Sequence, residues 1–183
     1  MFAEPRRERG VLESDAVPPV STGRPTLDDA GALWRLAADT GVLDVNSSYA
    51  YLLWTRDFAA TSVVARVSGE VVGFVTGYAR PDAPGTLFVW QVGVAERHRG
   101  RGVARTMLED LVGRGPRFVE TTVTATNAAS IRLFAGLARD HGVGHTREPL
   151  FTADLFPEPH EAEELHRLGP WPGSSRTRTP GET

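Results

Sequence analysis

Val89-Trp90-Gln91-Val92-Gly93-Val94-Ala95-Glu96-Arg97-His98-Arg99-Gly100-Arg101-Gly102-Val103-Ala104 reads as a β-strand that runs through a glycine-rich turn into a helix. Valine and tryptophan dominate the first six residues, and from Val103 onward Met107, Leu108 and Leu111 recur at helical spacing. Such a turn presents unpaired backbone N–H groups and the positive end of a helix dipole to an anion, while glycine lets the backbone approach without a Cβ in the way. A pyrophosphate suits it. Arg97, Arg99 and Arg101 add positive charge, although arginines on an exposed turn also serve simply as solvated surface charge. The stretch is not a Walker loop, because the lysine is missing. It is a poor nicotinamide fingerprint, because only two of the three glycines are present and the preceding strands form a meander.

Working outward, Ser62–Val67 and Val71–Tyr78 are β-branched runs joined by Ser68-Gly69-Glu70, and Thr86–Val94 follows a Pro- and Gly-containing turn, an antiparallel meander of three strands. Upstream, Thr26 precedes Leu27, Ala30, Leu33, Trp34 and Ala37, the pattern of an amphipathic helix that stops near Gly41. Ser47 or Ser48 caps a second helix carrying Tyr51, Leu52, Trp54 and Phe58. Downstream come a strand at Phe118–Thr124, a helix over Ile131, Leu133, Phe134 and Leu137, and two short strands near Leu150–Phe156 and Leu165–Leu168. The expected fold is therefore an α/β (α+β) domain, a mixed and mostly antiparallel central sheet flanked by helices. Residues 1–22 and 172–183 lack periodicity and read as disordered tails around one domain at 23–171.

Composition narrows the chemistry. A net charge of −3 gives no electrostatic reason to expect nucleic acid or an anionic membrane. No apolar run approaches the ~20 residues of a membrane span and no signal-type segment opens the chain, so a cytoplasmic protein is expected. The absence of cysteine excludes a disulfide framework, a thiolate zinc site and a cysteine nucleophile. If acyl groups are transferred, direct transfer is favoured. Histidines 98, 141, 145, 160 and 166 show no metal-ligand spacing, and most are expected to be exposed; no metal is assigned.

Arg97-x-x-Gly100-x-Gly102, between a strand and a helix, resembles the coenzyme A pyrophosphate loop of the GNAT acetyltransferase superfamily. Asn127-Ala-Ala-Ser130-Ile-Arg-Leu133-Phe134 resembles that superfamily's downstream Asn-x-x-(Ala/Ser)-x-x-Leu-Tyr segment, at fitting spacing. The resemblance implies acetyl-CoA as cosubstrate, held by Val92, Val94, Arg97, Arg99, Gly100, Arg101, Gly102, Val103, Ala104, Asn127 and Ser130. The amide around Val92 would polarise the thioester carbonyl on a splayed strand, and Asn127 as a helix cap is compatible with this. Phe134 departs from the pattern, standing where many members have a tyrosine thought to protonate the leaving thiolate.

Gly41–Leu53, Gly73–Tyr78, Thr86–Val92, Phe118–Thr124, Pro149–Phe151 and Asp154–Pro157 resemble the diaminobutyrate acetyltransferases of ectoine biosynthesis, a likeness spanning roughly 20 to 170. It implies acetylation of the γ-amine of L-2,4-diaminobutyrate to N-γ-acetyl-diaminobutyrate, precursor of the compatible solute ectoine, by a homodimer. Other GNAT enzymes acting on another amine, or a silent acetyl-CoA-binding domain, are the rival readings.

The acceptor sets a proton problem: at a lysine-like pKa of ~10.4, about one γ-amine in two thousand is neutral at pH 7, a penalty of ~4–5 kcal/mol. Glu120 and Asp44 are the candidates for holding and deprotonating the ammonium, with the choice of base open. Trp90, expected on one face with Phe88 and Val92, would pack on the acceptor's methylenes or ammonium, or else serve the core. Asn46 and Tyr49 offer an amide and a hydroxyl to its α-carboxylate and α-ammonium.

Overall fold

The computed structural model describes residues 18–41, 43 and 45–172. A short strand β1 (Ser21–Gly23) precedes helices α1 (Ala30–Thr40) and α2 (Ser48–Arg56). Then come β2 (Val63–Val67), β3 (Glu70–Ala79), β4 (Thr86–Val94), α3 (Val103–Gly113), β5 (Phe118–Thr124), α4 (Ala128–His141), β6 (His145–Phe151) and β7 (Glu163–Leu168). The seven strands form one sheet in the order β1-β2-β3-β4-β5-β7-β6. Every pairing is antiparallel except β4 with β5. The expected mixed, mostly antiparallel sheet is what forms.

Local chemistry explains the turns. Ser68 and Gly69 take φ of 49° and 83°, the pair of left-handed residues that joins β2 to β3 in a two-residue hairpin. Gly41 closes α1 at φ 65°. Two apolar layers then cover the sheet. Met107, Leu108 and Leu111 of α3 and Phe134 and Leu137 of α4 pack on Val63, Val75, Leu87 and Val89. On the other face, Leu33 and Ala37 of α1 and Tyr51 of α2 pack on Val64 and Phe74.

Two irregularities shape the site. In the β3–β4 ladder Thr76 faces Gln91 while Gly77 faces Val89, so Trp90 is the extra residue of a bulge. The parallel β4–β5 ladder contains only Thr86–Phe118, Leu87–Val119 and Phe88–Glu120. Beyond Phe88 the two strands part, leaving one backbone edge of β4 without a strand partner.

Three expectations need correction. Ser21 and Thr22, assigned to the N-terminal tail, belong to β1, where Thr22 pairs with Ala65; three residues are too few to show periodicity. The strand expected near 150–156 is β6 at His145–Phe151, because His145-Thr146-Arg147-Glu148 on a sheet edge carries no apolar alternation to read. Phe58 lies past the end of α2, yet still packs on Trp54 with ring centroids 4.8 Å apart. The tail assignments for residues 1–17 and 173–183 lie outside the described residues.

Candidate active site

Where β4 and β5 diverge they enclose a cleft of about 310 Å³. Trp90, Gln91 and Val92 form one wall, Thr121 to Thr124 the other, and Asn127, Ser130 and Phe134 of the α4 region close one side. Leu43 and Asn46, from the loop between α1 and α2, close the opposite side. Five of the binding residues expected from the sequence therefore meet in one space, Asn46, Trp90, Val92, Asn127 and Ser130, together with Phe134.

The bulge decides what each face of β4 offers. Leu87 and Val89 before it, and Val92 and Val94 after it, all pack toward α3 and α4. A Cβ on Gly93 would stand 2.5 Å from Phe74 Cε1, so Gly93 faces the α1–α2 layer. The extra residue shifts the alternation by one, so Val92 does not share a face with Trp90 as expected. Trp90 instead lies against Trp54 of α2, centroids 4.8 Å apart, and remains 42 % exposed. Gln91 is buried, and its Oε1 accepts a hydrogen bond from Tyr51 Oη at 3.1 Å. Burial pushes the Tyr51 phenol up from its usual range, against its hydrogen bonds with Asn46 and Gln91.

The glycine-rich turn sits at the start of α3. Gly100 and Gly102 have φ of 73° and 78°, and Gly102 is the N-cap with no side chain to occupy the helix end. The first intrahelical bond runs from Thr106 N–H to Gly102 O at 2.9 Å, so the amides of Val103, Ala104 and Arg105 precede it and are available to an anion. Two of the arginines brace the turn: Arg97 binds Glu70 at 2.6 Å, and Arg99 donates to Val94 O at 3.2 Å and Thr40 O at 3.4 Å. Arg101 is exposed. Val94, with Arg97 and Arg99, borders a groove of about 530 Å³ against α1 rather than the cleft itself. Asn127 caps α4 by accepting Ser130 N–H at 3.0 Å.

The two candidate carboxylates fare differently. Glu120 is the last residue of β5 paired with β4, is fully buried, and does not line the cleft. Its Oε2 accepts a 2.8 Å hydrogen bond from Arg80, and Arg167 Nη1 stands 3.4 Å from its Oε1. Its Oε2 is thus held by Arg80, while its buried Oε1 accepts no hydrogen bond among the described residues and has Arg167 only at ion-pair distance. Asp44 lies outside the described residues; Leu43 and Asn46, on either side of it, both line the cleft. Tyr49, in the first turn of α2, is 64 % exposed and does not line it.

His166 also departs from expectation. It is fully buried on β7, not exposed, and its Nδ1 is 3.0 Å from His145 Nε2. Burial first, then the positive charges nearby, hold both imidazoles below the usual histidine range, so the pair is neutral at pH 7. Sequence spacing offered no signal for this pair, because the residues meet only through the β6–β7 pairing. Among the described residues, no group of three or more His, Cys, Asp or Glu side chains is placed to hold a metal ion, and no helix is long and apolar enough to cross a membrane.

Known proteins bear on this geometry. Residues 31–137 match the acetyltransferase (GNAT) family. The chain is 47% identical over 177 residues to the L-2,4-diaminobutyric acid acetyltransferase of Nocardia farcinica, covering 92% of each chain. To the enzyme of the same name from Streptomyces anulatus it is 52% identical over 159 residues, covering 83% of this chain and 90% of the other. Its fold superposes on the diaminobutyrate acetyltransferase from Paenibacillus lautus, solved in complex with its substrate L-2,4-diaminobutyric acid and coenzyme A, with a TM-score of 0.80 and 42% identity over 84% of this chain and 96% of that one.

Proposed function

We infer that this chain, which belongs to the GNAT acetyltransferase family and within it to the L-2,4-diaminobutyric acid acetyltransferases, transfers the acetyl group of acetyl-CoA to the γ-amine of L-2,4-diaminobutyrate in ectoine biosynthesis. The observation that carries this reading is the cleft between β4 and β5, lined by Trp90 and Asn46 and by Asn127 and Ser130, in a chain that also leaves the amide end of α3 open. Acetyl-CoA supplies the activated acyl group. The amides of Val103 and Ala104, with Gly100 and Gly102, hold its pyrophosphate, and Arg101 adds charge there. The unpaired edge of β4 near Val92 offers an amide to the thioester carbonyl, where charge develops as the amine adds. Asn127 and Ser130 line the path of the pantetheine arm.

On the acceptor side, the Trp90 ring packs against the methylenes and the ammonium group. Asn46 is assigned to the α-carboxylate and α-ammonium, and Tyr49, which does not line the cleft, is given no contact. Asp44 is the group assigned to take the γ-ammonium proton, since Glu120 is held by Arg80 and Arg167. With no cysteine in the chain, the acetyl group passes directly to the amine. The working form is a homodimer, supported by Leu150, Phe151 and Leu155, large apolar side chains left exposed at and just after edge strand β6. Its product serves osmoprotection in the cytoplasm.

The test is release of free coenzyme A from acetyl-CoA with L-2,4-diaminobutyrate, beside lysine, ornithine, spermidine and no acceptor, with NMR locating the acetyl group. Release only with diaminobutyrate and acetyl on the γ-nitrogen is expected. Turnover only with another amine replaces the substrate, and binding of acetyl-CoA without any turnover replaces the enzyme reading with a silent binder.

A further inference from the structure

Phe134 lines the cleft on the α4 side without a hydroxyl, so the thiolate that departs there lacks the proton donor a tyrosine would provide. A different polar group lies on the same face of the sheet. His166 of β7 lies directly opposite Thr121 of β5. In an antiparallel pair such residues point to the same face with Cβ atoms about 4.5–5.5 Å apart. Thr121 and Phe134 both line the cleft. Leu168, two residues beyond His166, packs in the same cluster as Phe134 and Leu137, so the imidazole lies on the α4 face of the sheet.

One ring nitrogen of His166 is occupied by His145; the other, Nε2, is fully buried and has no hydrogen-bond partner among the described residues. His166 does not itself line the cleft; it stands behind Thr121, which does, and a buried polar atom left without a partner there is a group open to completion by a ligand. The charged and titratable groups around it are His145, Arg147, which pairs across the ladder with His166, and Glu164, which is ion-paired to Arg147. The contact allows either nitrogen to donate; the arrangement the reaction requires has His145 Nε2–H donating to Nδ1 and the proton of His166 on Nε2.

Resting on the acetyltransferase reading, we propose that His166 Nε2–H donates to the sulfur of the departing coenzyme A, with His145 as the relay behind it, in place of the α4 tyrosine. As the C–S bond of the adduct breaks, its electron pair goes to sulfur, which takes the Nε2 proton. His166 Nδ1 takes the proton of His145 Nε2, and half-buried His145 recovers one from water at its own Nδ1. The proton lost by the amine goes to solvent, so the balance closes without another reactant.

The experiment compares His166→Asn, whose amide reaches only the inner ring position, with His166→Gln, whose amide reaches the place of Nε2. Turnover of acetyl-CoA with diaminobutyrate is measured beside wild type, with coenzyme A affinity and melting temperature recorded. His166→Asn is expected to lower kcat about 100-fold at unchanged KM for acetyl-CoA, with His166→Gln within about tenfold of wild type. Phe134→Tyr added to His166→Asn restores at least tenfold of the loss, a rescue that a packing role would not show. Equal kcat in wild type and His166→Asn, or no rescue by the tyrosine in a variant that folds and binds coenzyme A, overturns the proposal. A measurement on unmodified protein stands independently: in 15N-histidine spectra the His166 Nε2–H resonance shifts when coenzyme A binds, and an unmoved resonance also overturns it. If wild type itself does not turn over diaminobutyrate, the acetyltransferase reading has failed instead.

Discussion

The rings of Trp54 and Trp90 lie 4.8 Å apart at 42°, and Trp54 in turn rests on Phe58 at 4.8 Å. This stack holds the extra residue of the β4 bulge in a fixed orientation, with 42 % of Trp90 still open to the cleft side. Replacing Trp90 by Ala removes an aromatic face that meets a cation, worth roughly 1–2 kcal/mol. The expected outcome is a KM for diaminobutyrate raised about tenfold, with KM for acetyl-CoA within twofold, while Trp90→Phe keeps most of the affinity. Steady-state kinetics with each substrate varied in turn checks this.

Gly102 has φ +78° at the N-cap of α3, and no atom lies within 4 Å of the site a Cβ would occupy. Gly102→Ala therefore pays backbone strain of about 1 kcal/mol and puts a methyl group where the pyrophosphate approaches. We expect a KM for acetyl-CoA raised at least tenfold and an unchanged KM for the acceptor. Coenzyme A titration by calorimetry separates weakened binding from a slower reaction.

Glu120 and Asp44 are separable by what each loss does. Glu120→Gln leaves Arg80 and Arg167 facing a neutral group in a buried position, at a cost of about 3 kcal/mol in folding stability. Urea denaturation should show it, with kcat reduced less than tenfold. Asp44→Asn is expected to leave stability near wild type and lower kcat about 100-fold. The reverse pattern would return the base role to Glu120.

The buried His145–His166 pair makes stability depend on pH. Both imidazoles titrate below the ordinary histidine value of 6.5 in the folded state, chiefly because burial disfavours the charged form. The unfolded chain therefore binds more protons than the folded one between 6.5 and the lowered folded values. Their contribution is fully present above 6.5 and is lost as pH falls through that window, at up to about 1.4 kcal/mol per pH unit for each ring. Urea midpoints at pH 7.5 and 5.5 should drop accordingly, and His145→Gln should flatten the slope.

Much of this architecture was legible along the chain because its causes are local. The alternation in Thr86–Val94 and Phe118–Thr124, the glycines at 100 and 102, and the Asn127 cap each act within a few residues, and the elements form where those signals stand. β6 was misplaced because an edge strand exposed on both faces needs no apolar period. Trp90 was assigned the wrong neighbours because one inserted residue reverses a period of two, and a bulge leaves no mark in composition. His166 carries no role in the sequence reading because its partners, His145 and Thr121, come from two other strands.

By itself, then, the sequence determined the helices, the meander, the anion-binding turn and the acetyltransferase resemblance, all written in short-range patterns of polarity, glycine and capping. Only the tertiary structure decided which polar groups are available for chemistry. Whether a carboxylate is a free base or the partner of two arginines, as with Glu120, depends on strands far apart in the chain. Whether an imidazole is solvated or buried with one nitrogen unpaired, as with His166, depends on the same long-range pairing. Burial and charge pairing set a side chain's proton affinity, and both are properties of what the folded chain brings together.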